Sequence, residues 1–252
     1  MIEIKNKYFK TKYYARNITI KDIFSLTNFN QFKGGKSVLD FFYKRKKYFT
    51  KVIDLTRDIE EIRKDFSSTV RNEINRAEKD GVRFSLYSIH NQNLIDDYID
   101  YYNTFAESKN LHFRLSAQVH IEPFKENLIV TQALYNGHIC AMHGHIVDHQ
   151  EKIVYLAHSS SHFRVKNNNI GVDKNFIGRA NRFLHFKDFQ YFKSLGFVLF
   201  DMGGYGFDEN GEPSSISRFK DGFGGILVQE DHLEHRLLNF IRSVKNIIKK
   251  RV

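Results

Sequence analysis

The sequence predicts an α/β layer fold, and three observations carry that expectation. Helical and strand-like apolar patterns alternate along the chain. Three short apolar segments follow one another closely near its middle. An aromatic helix then leads into a continuously apolar run that stops at Asp201. With 252 residues, 41% apolar and 15% aromatic, the chain can bury a sizeable core. It holds only two prolines, which disfavours a turn-rich all-β sandwich and any long linker.

The first 45 or so residues are aromatic and basic with weak periodicity, and read as a small α/β lead-in. Phe49 to Leu55 alternates as a strand does, and Thr56 or Asp58 can cap a helix running from Asp58 to Asp80. Phe66, Val70, Ile74 and Ala77 give that helix its buried stripe, and Gly81 ends it. Val82 to Tyr87 is a second strand. Leu94, Tyr98, Tyr101 or Tyr102, and Phe105 mark the next helix, and a less regular link runs from Ser108 to Glu126. Leu128 to Leu134, His138 to Val147 and Lys152 to Ala157 then form an antiparallel meander around the turns Asn136-Gly137 and Asp148-His149-Gln150.

The helix from Arg179 to Leu195 is apolar around most of its circumference, so it must be covered on several sides. Phe197 to Phe200 reads as a central strand buried on both faces. A glycine-rich loop follows, then a short helix at Ser215 to Asp221, a strand at Ile226 to Gln229 and a terminal helix from Asp231. Leu233, Leu237, Ile241, Val244, Ile248 and Val252 stripe that last helix, which either docks on the sheet or lies on an anionic membrane. The domain division expected is a reduced lead-in or partial first subdomain at 1–80 and a main domain at 81–252.

A formal charge of +10 and a pI near 9.5 suit an anionic partner: a nucleotide, coenzyme A, transfer RNA or an acidic membrane surface. They suit a well-solvated basic surface equally. Lys44-Arg45-Lys46-Lys47 and Lys249-Lys250-Arg251 are the dense clusters. The single Cys140 excludes a disulfide framework, and neither a secretory signal nor a membrane-spanning run is seen, so a cytoplasmic protein is expected. The 24 Phe and 13 Tyr interleaved with basic residues also allow a nucleic-acid-binding module without catalysis.

Local chemistry converges on the segment after the apolar run. Asp201 is a carboxylate at a strand end and needs a donor or cation if buried, for which Lys220 is a candidate. Gly203, Gly204, Gly206 and Gly211 let backbone approach a ligand and present N–H groups. His143 and His145 share one face of a strand, with His158 and His162 on or after its neighbour. They could serve as a general base or as packed residues. No metal is expected, because no carboxylate or cysteine completes a ligand set in the sequence.

Three segments resemble the Fem-type transferases and their shorter acetyltransferase-domain relatives. Ile53-Asp54-Leu55 with Val70-Arg71-Asn72-Glu73-Ile74-Asn75-Arg76-Ala77-Glu78-Lys79-Asp80-Gly81-Val82 is similar to the family's strand and arginine-rich helix. Phe200-Asp201-Met202-Gly203-Gly204 resembles its strand closing in aspartate and two glycines. Arg218-Phe219-Lys220-Asp221-Gly222-Phe223-Gly224-Gly225 resembles its phenylalanine-lysine…phenylalanine-glycine-glycine signature.

The resemblance implies an acetyltransferase-like (GNAT-like) fold with a mixed central sheet flanked by helices. It also implies an N-acyltransferase acting on an amino group of a cell-envelope or polysaccharide precursor. The resemblance places Lys220 alone at the acyl group; Asp201 as its partner, and His143 and His158 as base or acceptor contact, are expectations from the residues themselves. Gly203, Gly204, Tyr205, Arg218 and Phe219 would bind the acceptor, a small or lipid-linked anionic molecule. Asn175-Phe176-Ile177-Gly178-Arg179-Ala180 partly matches the coenzyme A signature. It assigns Gly178, Arg179, Ala180 and Asn181 to the donor, acyl-CoA (acetyl-CoA) or aminoacyl-tRNA, through N–H groups at a helix entrance. Contact with the inner membrane face belongs to the same expectation.

Overall fold

The computed structural model describes residues 1–5, 10–161 and 173–249. His162, the Lys250-Arg251 end of the basic tail and Val252 lie outside them. The chain forms two compact units: residues 51–226, and residues 1–50 with 227–252. The segment 51–80 thus belongs with the larger unit rather than with the lead-in, because Ile53, Leu55, Ile62, Phe66, Val70 and Ile74 are buried in that unit's core.

In the larger unit the end of β4 (Tyr43–Asp54) is followed across the sheet by β9 (Leu199–Gly204), β8 (Ile153–Ser161), β7 (His138–Asp148), β6 (Leu128–Tyr135) and β5 (Arg83–Tyr87). The strands β6, β7 and β8 make the expected antiparallel meander, whereas β8 and β9 run parallel. The long helix α5 (Lys174–Ser194) packs on one face, lodging Phe186, Phe189 and Phe192 among Phe66, Phe200 and Phe223 in edge-on ring contacts. These rings are buried, so they offer no platform for stacking bases. Helix α4 (Gln92–Ser108) takes the other face. Gly144 admits it, since a Cβ there would collide with Tyr98 Oη and come within 2.9 Å of His158 Nδ1.

Several boundaries differ from the sequence expectation, among them β4, which starts at Tyr43 rather than Phe49, and β8, which runs on to Ser161. The helix expected over 58–80 is two, α2 (Ile59–Lys64) and α3 (Ser68–Lys79), because Ser67 Oγ accepts from Val70 N at 3.2 Å and starts a new helix. Helix α5 starts five residues before Arg179, where Asp173 caps Phe176 N at 2.7 Å. Phe197 N closes the end of α5 on Phe192 O at 3.1 Å, so β9 begins only at Leu199 and runs through Asp201. The last strand, β10 (Ile226–His235), outlasts its expected end at Gln229, which delays helix α7 (Arg236–Lys249).

The smaller unit holds β1 (Ile2–Lys5), β2 (Lys10–Tyr13), β3 (Asn28–Phe32), most of β10 and the first part of β4, in that order. Helix α1 (Ile20–Phe24) and a 3₁₀ turn, Val38–Phe42, lie between its strands. Ala15, Phe29, Phe32, Tyr43 and Leu233 form its core. Because α7 starts late, Leu233 is a strand residue, Leu238 is the buried helix position, and Leu237 and Ile241 are exposed. The expected docking of that stripe on the sheet does not occur at these positions. Among the described residues no helix is long and apolar enough to cross a membrane.

Helix α6 (Ser215–Asp221) matches its predicted span. Ser214 Oγ accepts from Ser217 N at 3.2 Å, and the helix turns Ser217 and Lys220 inward.

Candidate functional site

The site forms where β8 and β9 part. Their pairing covers Ile153↔Leu199, Val154↔Phe200 and Tyr155↔Asp201. Beyond it, Leu156, Ala157 and Ser159 on one strand and Met202, Gly203 and Gly204 on the other line a cavity of about 650 Å³. The first turns of α5 and the inner face of α6 supply further walls, including Asn175, Asn181, Phe219 and Lys220.

Lys220 is a buried cation on the wall of this cavity, which Lys109, Lys174 and Arg182 also line. Its Nζ donates to Gly203 O at 2.9 Å and Gly204 O at 2.6 Å, which fixes the ammonium against the end of β9. Burial lowers its pKa from 10.5 to about 8, with the negative charge of Asp201 opposing the shift. Asp201 is buried, and its Oδ1 accepts from Gly203 N at 2.7 Å. That turn needs glycine: Gly203 sits at φ +77°, and a Cβ there would lie 3.0 Å from Leu156 O.

Of the other residues expected near the acceptor, Tyr205 donates to Asp221 Oδ2 at 2.7 Å, and Asp221 pairs with Lys51 at 2.8 Å. Phe219 lies between His185, with ring centroids 5.4 Å apart, and the Arg182 guanidinium, 4.9 Å from its ring. Arg218 is exposed and donates to Pro213 O at 2.7 Å, away from the cavity wall.

The expected donor residues divide. Gly178 and Asn181 line the cavity, whereas Ala180 is packed in the core and Arg179 pairs with Asp80 at 3.2 Å. Since Ile177 N already bonds Asp173 O, the N–H groups from Gly178 onward belong to the helix interior. A pyrophosphate cradle made of the Gly178–Ala180 amides does not fit this geometry. Among the described residues the first-turn amides of Lys174 and Asn175 have no acceptor, and both residues line the cavity.

The two expected histidines fall on opposite faces of the sheet. His158 faces α4, where its Nδ1 meets Tyr98 Oη at 2.9 Å, and burial pushes its pKa down to about 3. His143 faces α5, with Nδ1 2.6 Å from Asp188 Oδ2 and Nε2 3.0 Å from Asn181 Oδ1. His143 therefore does not line the cavity itself but touches Asn181, which does. His145 Nε2 lies 3.3 Å from the same Asp188 oxygen, and Thr131 Oγ1 donates to the other at 2.7 Å. Burial acts to raise the Asp188 carboxyl, but the flanking imidazoles outweigh it and hold it well below the usual carboxylate range.

The sequence reading did not find Asp188 or His185, which completes this cluster and lines the cavity. Burial and the neighbouring His143 hold His185 neutral. A signal existed: a helix apolar around its whole circumference must bury its polar residues as well, and 185 and 188 lie three apart on one face. His143, His185 and Asp188 bring metal-type ligand atoms within 4.8 Å of one another. The 2.6 Å contact between His143 and Asp188 is a hydrogen-bond length. Two ligands on one tetrahedral zinc ion would stand about 3.4 Å apart.

A mixed sheet flanked by helices, with a cavity opened between two parting parallel strands, defines this chain as an acetyltransferase-like α/β protein. Solved structures with the same fold include FemX, with TM-score 0.65 at 9% identity over 96% of this chain and 85% of that one. They also include the C-terminal domain of an Agrobacterium fabrum protein assigned as a lysylphosphatidylglycerol synthetase, with TM-score 0.61 at 12% identity over 98% and 84%. A third is L-PGS from Bacillus licheniformis, with TM-score 0.57 at 16% identity over 86% and 69%. The Fem-type resemblance read from the sequence holds at the level of the fold. No family model and no curated protein matches the sequence.

Proposed function

We propose that this chain is a transferase that moves an aminoacyl group from an activated ester, aminoacyl-tRNA, to an amino group of an envelope or polysaccharide precursor. The observation that carries the reading is Lys220, a buried cation aimed into the cavity and fixed by two glycine carbonyls. The acceptor nitrogen attacks the ester carbonyl, a C–N bond forms, and the carbonyl electron pair moves onto oxygen. The Lys220 ammonium stabilises that oxyanion, a contribution of about 3 kcal/mol by analogy with single oxyanion-hole donors. Collapse re-forms the carbonyl and breaks the C–O bond to the donor, and the proton lost from nitrogen leaves with the departing alcohol.

The choice of an aminoacyl ester over acyl-CoA rests on two supports. One neighbour is assigned as making lysylphosphatidylglycerol, which carries an aminoacyl group on an anionic lipid. The Gly178–Ala180 amides, moreover, are already bonded within α5. The anionic end of the donor meets Lys174 and the first-turn amides instead. Asn181, held by His143, and Phe219 shape the acceptor side.

The test is transfer of a labelled amino acid from a mixed pool of charged tRNA to a panel of amino-sugar and peptide amines, beside a parallel arm with labelled acetyl-CoA. Label should move to an amine from the tRNA pool alone. Transfer from acetyl-CoA alone would replace the donor, and transfer from neither would overturn the reading.

A further inference from the structure

An amine that attacks an ester carbonyl must shed a proton before the adduct collapses, and Lys220, an ammonium already donating to two glycine carbonyls, cannot take it. Of the side chains lining the cavity, Glu73 and His185 are the carboxylate and the imidazole able to accept one. Glu73 is held in an ion pair, its Oε2 2.8 Å from Arg182 Nε. Asp201, whose Oδ1 accepts from Gly203 N, is not on the cavity wall. His143 is not on it either, and both of its nitrogens are engaged, by Asp188 and by Asn181. His158 lies on the other face of the sheet against Tyr98. His185 remains.

His185 is 2% exposed and stands on α5 one turn after Asn181. Its ring is packed among others, with centroids 4.3 Å from His143, 5.4 Å from Phe219 and 5.1 Å from Phe223. These contacts fix the imidazole without using its nitrogens. Asp188 does not use them either, since its oxygens meet Thr131, His143 and His145. No hydrogen bond engages the His185 ring among the described residues, and Nδ1 is enclosed without a partner. Whichever nitrogen carries the proton, the lone pair of the other is unused. Buried polar groups are seldom left so, because the unmade hydrogen bond costs stability, and an N–H in the cavity would supply the missing donor. Burial, and then the neighbouring His143, keep the imidazole neutral, so that lone pair is present throughout the working pH range.

We infer that His185 is the base of the transfer, accepting the N–H proton of the attacking amine and passing it to the oxygen of the departing alcohol. This role rests on the transfer reading, whose work Lys220 and His185 then divide. The amine lone pair forms the C–N bond while the carbonyl pair moves onto the oxygen beside Lys220. The proton moves to the imidazole, and its bonding pair stays on nitrogen. When the C–O bond to the donor breaks, its electron pair goes to the alcohol oxygen, which takes the proton back from the imidazolium. The imidazole ends as it began. Burial and the nearby positive charge of Lys220 disfavour the imidazolium, so the ring holds the proton only in passing.

Single-turnover transfer from labelled aminoacyl-tRNA to the panel of amino-sugar and peptide amines tests it, using the intact chain, His185→Gln and His185→Ala, with the melting of each recorded. His185→Gln should fold, keep its thermal protection by the donor, and transfer on the order of a hundredfold more slowly. Added imidazole should restore part of the rate to His185→Ala, whose missing ring leaves room for it, and should not speed Lys220→Met. A His185→Gln chain transferring at the unaltered rate would overturn the proposal, as would a folded His185→Ala chain that imidazole does not speed. Melting lost in both variants, with no rescue by imidazole, would make His185 a packing residue and overturn it as well. So would transfer abolished by a chelator and restored by zinc, which would make His143, His185 and Asp188 a metal site. An intact chain that transfers to no amine overturns the transfer reading and this role together, whereas normal transfer without His185 removes the base alone.

Discussion

Lys220 combines two conditions that usually oppose each other, burial and a retained positive charge. The two glycine carbonyls at 2.9 and 2.6 Å and the field of Asp201 keep the ammonium, while burial lowers its pKa to about 8. If the cation is the working form, kcat/KM should fall about tenfold per pH unit above pH 8, and the Lys220→Met variant should lack that limb. Linkage has the opposite sign. Folding disfavours the charged lysine, so its destabilising contribution is present below about pH 8 and is relieved as pH rises toward 10.5. A loss of activity above pH 8 with unchanged melting therefore belongs to chemistry. At Asp188 the balance is structural: Asp188→Asn leaves His143 and His145 without their buried partner and should cost about 3–5 kcal/mol in chemical denaturation. A loss below 1 kcal/mol would show that the carboxylate does not hold this cluster.

At the scale of elements, Gly144 decides how closely α4 approaches the sheet. Gly144→Ala would push against Tyr98 and His158 and should cost about 1–3 kcal/mol, measured by thermal melting. Unchanged melting would place α4 farther from β7. The elements readable in the sequence were those whose signals are local. The meander announced itself by alternation and by Asn136-Gly137. The α6 segment did so by its short span after a glycine loop, and the Asp201-Met202-Gly203-Gly204 and Lys220 segments could be paired because both are compact motifs. What stayed hidden depended on contacts distant in sequence. The break at residues 65–67 is made by a serine cap with no glycine or proline to mark it. The His143–Asp188 pair joins residues 45 apart, and no periodicity reports it. The exposed face of α7 was hidden because β10 ran on to His235 and shifted the helix phase.

For the whole molecule, the larger unit supplies the cavity with Lys220 on its wall, and the smaller one leaves Val38, Phe41, Leu237 and Phe240 exposed. In the proposed reaction Lys220 stabilises the oxyanion of the transferred acyl group. The most direct test of that role is single-turnover transfer from labelled aminoacyl-tRNA by the intact chain and by Lys220→Met, with melting of both recorded with and without the donor. The variant should fold, donor should still protect it thermally, and its transfer rate should fall on the order of a hundredfold or more. A stable Lys220→Met chain transferring at the rate of the unaltered protein would contradict that role.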